Sequence, residues 1–335
     1  MPTVKVFQFP TPGGALEAGE REQRDPARGE ARVRVEACGV CHSDSASAHL
    51  ASTYPIVPGH EIAGVIEAVG EGVSAWQVGD RVGVGWYGGI DHTCPACRAG
   101  DSIDCANLAT PGLAYDGGYA DSVVVPTEAL AAIPDGLSAA EAAPLMCAGV
   151  TTFNGLRSSD ARAGDLVAVL GIGGLGHLGV QFAAKMGFET VAVARGASKE
   201  EPARALGAHH YIDSTDSSVA DELQALGGAT VILSTVTDSP TMTAATGGLG
   251  TRGRLIVLGV SMDPIEVNPM LLVSQSRSVA GHPSGTSKDS EETLRFASLF
   301  GIKPMIEEMP MSQAVAGYDR MMSGEARFRV VLTNA

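Results

Sequence analysis

Two cysteines and a histidine that lie far apart in the sequence have the chemistry of a catalytic metal site. Cys41 opens the segment CHSD (41–44), His60 is followed by Glu61, and Cys147 comes much later. Two thiolates and one imidazole form a ligand set for a catalytic zinc, whose fourth position stays open for water or substrate. Sequence spacing does not bring these residues together, and a single Cys or His is more often buried packing. A catalytic zinc site is therefore a hypothesis at this point.

A second group of cysteines is compact in sequence. Cys94 and Cys97 form a CxxC pair, and Cys105 follows eight residues later. Three thiolates on one short lobe predict a closed, structural zinc site, which needs a fourth ligand. Asp91 continues the three-residue step, whereas His92 is the chemically softer competitor. We favour Asp91 and keep His92 as the alternative.

A glycine-rich turn follows an apolar run and opens a helical pattern. It contains Gly171, Gly173, Gly174, Leu175 and Gly176 in a GxGxxG arrangement. Such glycines allow a tight turn, a close approach of the backbone to a pyrophosphate and close helix packing. The first turn of the helix adds N–H donors and a positive dipole. The sequence predicts that a dinucleotide binds here.

The next predicted strand indicates which dinucleotide is bound. An acidic residue at its end would accept hydrogen bonds from a free ribose 2′-hydroxyl, but the segment 190–199 has none and contains Arg195, Ser198 and Lys199 instead. A guanidinium beside a hydroxyl suits a 2′-phosphate. We favour NADP(H) over NAD(H), with a solvated strand end as the alternative role of Arg195.

These residues require elements that position them, and the pattern of elements changes along the chain. Up to about residue 148, short β-branched runs are cut by Gly, Pro and Asp, at 31–36, 61–67, 80–84 and 121–125. From about 164, apolar strands alternate with helices, which predicts βαβ units and a parallel sheet. The strands are expected at 165–170, 189–194, 231–234 and 254–260, with helices ending near 186 and 206. The tail, with a helix at 290–299 and a strand at 328–333, could complete either half.

Composition excludes several classes of function. A chain of 335 residues suggests about two domains. Its net charge of −15 disfavours nucleic acid and anionic lipid as partners. The first residues lack a secretory apolar block, and the longest apolar stretch, 166–186, is too interrupted to span a bilayer. We expect a cytoplasmic protein whose six cysteines serve metal binding or catalysis rather than disulfides.

Taken together, these motifs resemble those of the zinc-dependent alcohol dehydrogenases of the medium-chain dehydrogenase/reductase superfamily, over almost the whole chain. The matching segments are GVCHSD (39–44), PGHEIAGVIEAVG (58–70), GDRVGVGW (79–86), the cysteine lobe (91–105), DGGYADSVVVP (116–126), APLMCAGVTTFNGL (143–156) and GIGGLGHLGVQFAAKMG (171–187). The resemblance implies an α/β fold with two domains. A GroES-like β-barrel catalytic domain would comprise 1–148 and 285–335, and a Rossmann domain with a doubly wound parallel sheet would comprise 149–284.

The resemblance also implies a role for each matching residue. The implied ligands of the catalytic zinc are Cys41, His60 and Cys147, with Glu61 as an acid behind the metal and Asp44 as the carboxylate that orients the histidine ligand. Ser43 would accept the proton of the alcohol, His42 and Arg329 would contact the pyrophosphate, and Thr151 would pack near the nicotinamide. Trp86 would form a wall of the substrate pocket, and ordinary core packing is an equal alternative for it.

Two positions depart from the family pattern. Asp91 stands where the lobe normally starts with Cys, so the structural zinc could be kept, held weakly or lost. Ala46 stands where a distal histidine often ends the proton relay, so Ser43 and the cofactor ribose would pass the proton to water unless His49 reaches in. Cys38 matches no ligand, and packing is the expected role.

The resemblance implies reversible hydride transfer between a primary or secondary alcohol, or the aldehyde or ketone in reverse, and NAD(P). It also implies a homo-oligomer, with a tetramer favoured over a dimer. A polyol or sugar dehydrogenase of the same superfamily is the nearest alternative, although those enzymes commonly have a carboxylate where Cys147 stands. A non-catalytic dinucleotide-binding sensor is the alternative from a different class.

Overall fold

The computed structural model describes residues 2–334. The chain separates into two compact units, one formed by residues up to Val150 together with those from Ser284 on, and the other by Thr151–Pro283. The tail, which the pattern of elements left open and the family resemblance assigned to the catalytic domain, is part of the first unit. No helix in the described range has the length and apolar character needed to cross a bilayer.

The strands of the described residues are, in chain order, β1 (Thr3–Gln8), β2 (Glu17–Glu22), β3 (Glu30–Gly39), β4 (Ile62–Val69), β5 (Arg81–Val84), β6 (Ser122–Pro126), β7 (Leu130–Ala132), β8 (Leu166–Leu170), β9 (Glu189–Ala194), β10 (His210–Asp213), β11 (Ala229–Ser234), β12 (Leu249–Val257), β13 (Ser278–Gly281), β14 (Ile306–Pro310) and β15 (Arg329–Thr333).

The α-helices are α1 (Ser47–Leu50), α2 (Pro95–Ala99), α3 (Ala139–Ala142), α4 (Ala148–Arg157), α5 (Gly176–Lys185), α6 (Glu200–Ala205), α7 (Val219–Ala225), α8 (Ser239–Ala245), α9 (Pro269–Val273), α10 (Ser287–Phe300) and α11 (Ala314–Met322). Short 3-10 turns lie at His42–Ala46, Ser102–Asp104, Thr127–Ala129, Ala143–Met146, Ala197–Lys199, Thr246–Gly248 and Met311–Gln313.

The first unit is built on a sheet in the order β14-β15-β3-β4-β5-β7, with β6 paired to β3. In β3, Ala31, Val33 and Val35 are buried while Arg32 and Arg34 between them are not, because successive side chains of a strand point to opposite faces. Antiparallel pairing of β15 with β3 brings the tail into this sheet. β1 and β2 form a separate hairpin.

The second unit contains a parallel sheet in the order β10-β9-β8-β11-β12-β13. All five side chains of β8 are buried, as expected for a central strand of a parallel sheet. The strand order reverses between β8 and β11, and ligands of doubly wound sheets bind outside the carboxyl ends of the strands at this point. The two-part α/β architecture predicted from the sequence is confirmed.

The bounds of one strand differ most from those predicted. The strand expected at 254–260 begins at Leu249 and ends at Val257. Beyond Val257 the backbone turns onto β11, since the N–H groups of Leu258 and Gly259 both donate to the carbonyl oxygen of Ser234. A side chain at Gly259 would begin 2.0 Å from the carbonyl oxygen of Val236, so the chain can make this close approach only with glycine.

Candidate active site and metal centres

Four buried side chains meet in the first unit at the hypothesised zinc site. Cys41 follows β3, His60 and Glu61 precede β4, and Cys147 follows the 3-10 turn Ala143–Met146. One ligand atom from each of the four lies within 4.8 Å of the others. The fold therefore brings together the three proposed ligands and the acid beside them, over more than 100 positions of sequence.

The imidazole of His60 is held in one orientation. Its Nδ1 lies 2.9 Å from Oδ1 of Asp44, and Oδ2 of Asp44 accepts a hydrogen bond from the backbone N–H of Cys41 at 2.9 Å. The other ring nitrogen of His60, Nε2, is buried and has no hydrogen-bond partner among the described residues. Because buried polar atoms are normally paired, an imidazole nitrogen without a partner beside two sulfurs fits a metal ligand.

The thiols of Cys41 and Cys147 form a hydrogen bond. A hydrogen bond with Cys147, together with the neighbouring His60, lowers the pKa of Cys41 well below that of a free cysteine, despite burial. Burial instead raises the pKa of Cys38 and keeps that thiol neutral. A readily formed thiolate beside a second sulfur and an imidazole is the donor set of zinc, so the residues present fit a zinc ion.

Glu61 and Arg329 form a buried ion pair behind this cluster. The Arg329 guanidinium donates to Oε1 of Glu61, while Oε2 of Glu61 and Nε of Arg329 have no partner among residues 2–334. Burial raises the pKa of Glu61 to about 7, although the charge of Arg329 opposes that shift. The Glu61 carboxylate occupies the space that a side chain at Gly39 would need, so glycine is required there.

The remaining residues predicted near the catalytic metal lie on the same unit. Ser43 and His42 are exposed on the 3-10 turn His42–Ala46. The Trp86 ring packs edge-on against the His60 imidazole, with ring centroids 5.0 Å apart. The ring of His49 lies beside Gly13 in the N-terminal segment.

Tyr119 was not identified from the sequence, although it belongs to this cluster. It is fully buried, and its hydroxyl donates a hydrogen bond to Oδ2 of Asp44 at 2.9 Å. The sequence signal was weak, since a tyrosine after two glycines is usually part of a turn or core.

The second cluster contains Asp91, Cys94, Cys97 and Cys105, whose candidate ligand atoms all lie within 4.8 Å of one another. Oδ1 of Asp91 accepts the N–H groups of Thr93 and Cys94, at 2.8 and 2.9 Å. These hydrogen bonds hold the pKa of Asp91 well below that of a free carboxyl group.

His92 does not join this cluster. Its Nε2 lies 2.7 Å from Oε2 of Glu128, and two-thirds of its side chain is exposed. Of the two alternatives for the fourth ligand, the structure brings Asp91 to the sulfurs and directs His92 elsewhere.

In the second unit, the glycine-rich turn joins β8 to α5. Gly171 has φ = +94°, and a side chain at Gly176 would begin 1.8 Å from the carbonyl oxygen of Gly171, so both positions require glycine. A side chain at Gly173 would meet nothing within 4 Å. Open space over Gly173 beside the first turn of a helix suits the phosphates of a dinucleotide.

The basic residues after β9 differ in their surroundings. Arg195 and Ser198 are exposed, while Nζ of Lys199 donates to the carbonyl oxygen of Ile172 within the glycine-rich turn, at 3.2 Å. Asp213, at the end of β10, accepts the N–H of Gly196 at 2.8 Å and so shapes this loop. Thr151 is buried on α4.

Comparison with known proteins is consistent with both units. The family model of the alcohol dehydrogenase GroES-like domain matches residues 27–135, and that of the zinc-binding dehydrogenases matches 174–298. Alcohol dehydrogenase patD of Penicillium expansum is 44% identical over 337 residues, covering 99% of this chain and 98% of that protein.

Two solved structures have the same fold at 26% identity and a TM-score of 0.86. They are CAD from Helicobacter pylori complexed with NADP(H), covering 99% of this chain and 98% of that one, and acetophenone reductase from Geotrichum candidum in complex with NAD, covering 100% and 98%. The chain is therefore an oxidoreductase that belongs to the zinc-type alcohol dehydrogenases of the medium-chain dehydrogenase/reductase superfamily.

Proposed function

We propose that this alcohol dehydrogenase holds its catalytic zinc on Cys41, His60 and Cys147 and interconverts a primary or secondary alcohol with the corresponding aldehyde or ketone. The observation that carries the assignment is the buried Nε2 of His60, which has no partner among the described residues, on a ring that places a ligand nitrogen within 4.8 Å of both sulfurs. Zinc bound there would supply a Lewis acid for the substrate oxygen.

The protein groups around this site have separate tasks. Asp44 places Oδ1 at 2.9 Å from Nδ1 of His60, and this carboxylate would favour the tautomer whose Nε2 is free to be a ligand. The exposed hydroxyl of Ser43 would take the proton of the alcohol and, with the cofactor ribose, pass it to water, because Ala46 offers no further acceptor. Trp86 supports the His60 ring edge-on and would form one wall of the substrate pocket.

We also propose a structural zinc on Asp91, Cys94, Cys97 and Cys105. Three sulfurs and one carboxylate oxygen would complete a tetrahedral, closed site. Oδ2 of Asp91 also accepts a hydrogen bond from Asn107 at 2.6 Å, which orients the carboxylate relative to the lobe.

For the cofactor we propose NADP(H) on the turn from Gly171 to Gly176, with the 2′-phosphate on Arg195, Ser198 and Lys199. Both cofactor forms occur in solved relatives of the same fold, so this loop rather than the fold must decide the preference. His42, Thr151 and the Nε of Arg329 remain proposed cofactor contacts.

The assembly proposed is a homo-oligomer, with a tetramer favoured over a dimer. Several apolar side chains of the second unit are exposed to an extent that is costly for a monomer, with Met262 at 96%, Val260 at 78% and Val273 at 77%. Sedimentation velocity of the zinc-loaded protein would measure the mass directly.

The catalytic assignment is tested by Cys41→Ser, with Cys38→Ala as the matched control. We expect Cys41→Ser to lose one of the two proposed zinc ions and all turnover while NADPH binding stays within about twofold of the wild-type protein, because most of the proposed dinucleotide contacts lie on the other unit. Cys38→Ala should retain both metals. Turnover by Cys41→Ser would reject the site, and a zinc-loaded wild type inactive on every alcohol and carbonyl would favour the sensor.

A further inference from the structure

We propose that the hydroxyl of Tyr119 is a positioning group for the zinc ligand His60, acting through Asp44. The inference rests on the proposed catalytic zinc site and goes beyond it by assigning a role to a residue outside the ligands and their direct partners.

The three side chains form one series of polar contacts. Tyr119 Oη donates to Oδ2 of Asp44 at 2.9 Å, and Oδ1 of the same carboxylate lies 2.9 Å from Nδ1 of His60. Oδ2 also accepts the backbone N–H of Cys41, which is itself a proposed ligand. Tyr119, Asp44 and His60 are 0, 1 and 2% exposed, so these contacts are shielded from bulk water.

A buried carboxylate is stable only when donors surround it, and the direction of those donors fixes its plane. The Cys41 N–H and the Tyr119 hydroxyl hold Oδ2, which leaves Oδ1 directed at His60. Without the hydroxyl, a single backbone donor would remain on Oδ2. The carboxylate would then be less restrained in rotation, and with it the imidazole whose Nε2 binds the metal.

The ring of Tyr119 is fixed independently of its hydroxyl. Three backbone hydrogen bonds of 2.7 to 3.0 Å join residues 117–119 to residues 57–59, immediately before His60. Gly59 has φ = +105°, and a side chain there would begin 2.6 Å from Cδ1 of Tyr119. The ring thus packs against the backbone that carries His60. Removing only the hydroxyl should therefore leave the ring, and this loop, in place.

Tyr119→Phe deletes that one hydroxyl, and Tyr115→Phe is the matched control. Tyr115 is partly buried, and its hydroxyl donates to the carbonyl oxygen of Gly88, at 2.8 Å, and not to a partner of a metal ligand. Each variant loses one hydrogen bond of a tyrosine hydroxyl, so each should lose about 1 kcal/mol of stability.

The measurement is zinc release from the intact holoenzyme into a chelating dye. The two proposed zinc ions should leave in two kinetic phases. The phase that Cys41→Ser lacks belongs to the catalytic ion, and the phase that remains belongs to the ion of the cysteine lobe. Loss of a direct partner of a metal ligand costs about 10–100-fold in affinity. Since Tyr119 acts one contact further out, we expect Tyr119→Phe to release its catalytic zinc about 5–10-fold faster than the wild type. Zinc release from the cysteine lobe should be unchanged, and Tyr115→Phe should release both ions like the wild type.

Coupling to Asp44 distinguishes positioning from general stability. In the Asp44→Asn background, Tyr119→Phe should accelerate zinc release from the catalytic site by less than about twofold, because the hydroxyl acts through the carboxylate. Unchanged catalytic release in Tyr119→Phe, equal acceleration of both phases, or a full additional effect on Asp44→Asn would each overturn the proposal. A wild-type protein without a catalytic zinc phase would instead reject the metal site itself.

Discussion

The guanidinium of Arg329 donates to the carboxylate of Glu61, and the two residues are 268 positions apart in the sequence. Arg329 begins β15 in the tail, and Glu61 precedes β4 next to the candidate zinc ligand His60. Both side chains are buried, at 4% and 0% exposed. This ion pair attaches the tail of the chain to the backbone that carries the metal site.

Arg329→Gln should destabilise the protein by about 3–5 kcal/mol, because it removes the partner of a buried carboxyl group, which must then stay charged without compensation or take up a proton. Urea unfolding of the zinc-loaded enzyme measures the change. The double variant Glu61→Gln with Arg329→Gln should recover part of the loss, since neither side chain is then charged. If the double variant is less stable than Arg329→Gln alone, the ion pair is not the reason for the loss.

Two glycines of the dinucleotide turn should respond differently to alanine. At Gly173 the new methyl group meets no protein atom, so the free energy of unfolding should change by less than about 0.5 kcal/mol. NADPH affinity should fall by about tenfold, because the methyl group occupies the space predicted for the pyrophosphate.

Gly176→Ala is the contrasting variant, since its methyl group would contact the carbonyl oxygen of Gly171. We expect it to lower stability by about 1–3 kcal/mol. Thermal unfolding and fluorescence titration with NADPH separate the two effects. Normal NADPH affinity in Gly173→Ala would show that the pyrophosphate does not lie over this residue.

Arg195→Ser tests the preference for NADP(H). Loss of a charge-assisted hydrogen bond to the 2′-phosphate should lower kcat/KM for NADPH by about 10–100-fold and leave kcat/KM for NADH nearly unchanged. Arg162→Ser is the control, because Arg162 is also exposed but precedes β8 at the opposite end of the strand from the glycine-rich turn. A wild-type enzyme that prefers NADH, or equal losses with both cofactors, would contradict the assignment.

Asp91→Ala should release the structural zinc at a lower chelator concentration than the wild type, because only three sulfurs remain. Asp91→Cys should hold the ion more tightly, since thiolate is the preferred ligand of closed zinc sites. His92→Ala should behave like the wild type, as His92 faces Glu128. Metal content after dialysis against a graded chelator series reports all three. Equal zinc retention in Asp91→Ala and the wild type would remove Asp91 from the ligand set.

Local features of the sequence predicted the elements that depend on near neighbours. The turn from Gly171 to Gly176 needs only a strand before it and a helix after it; a positive φ requires glycine at 171, and a backbone clash within the turn requires it at 176. The hairpin of β1 and β2 was not predicted. The sequence of β2 is EAGERE, which lacks the alternation of apolar and polar residues that indicates a strand half-buried against a core.

The two-part α/β architecture, the candidate ligand types and the dinucleotide turn were predictable from the sequence, since periodicity and short spacing encode local geometry. Three contacts became visible only in the folded chain: Asp91 rather than His92 faces the sulfurs, Arg329 reaches Glu61, and Tyr119 donates to Asp44. Those contacts depend on how β3, β4 and β15 pair and on the turn of each loop between them. A change of one residue in register reverses the face of every side chain, and no local pattern records that choice.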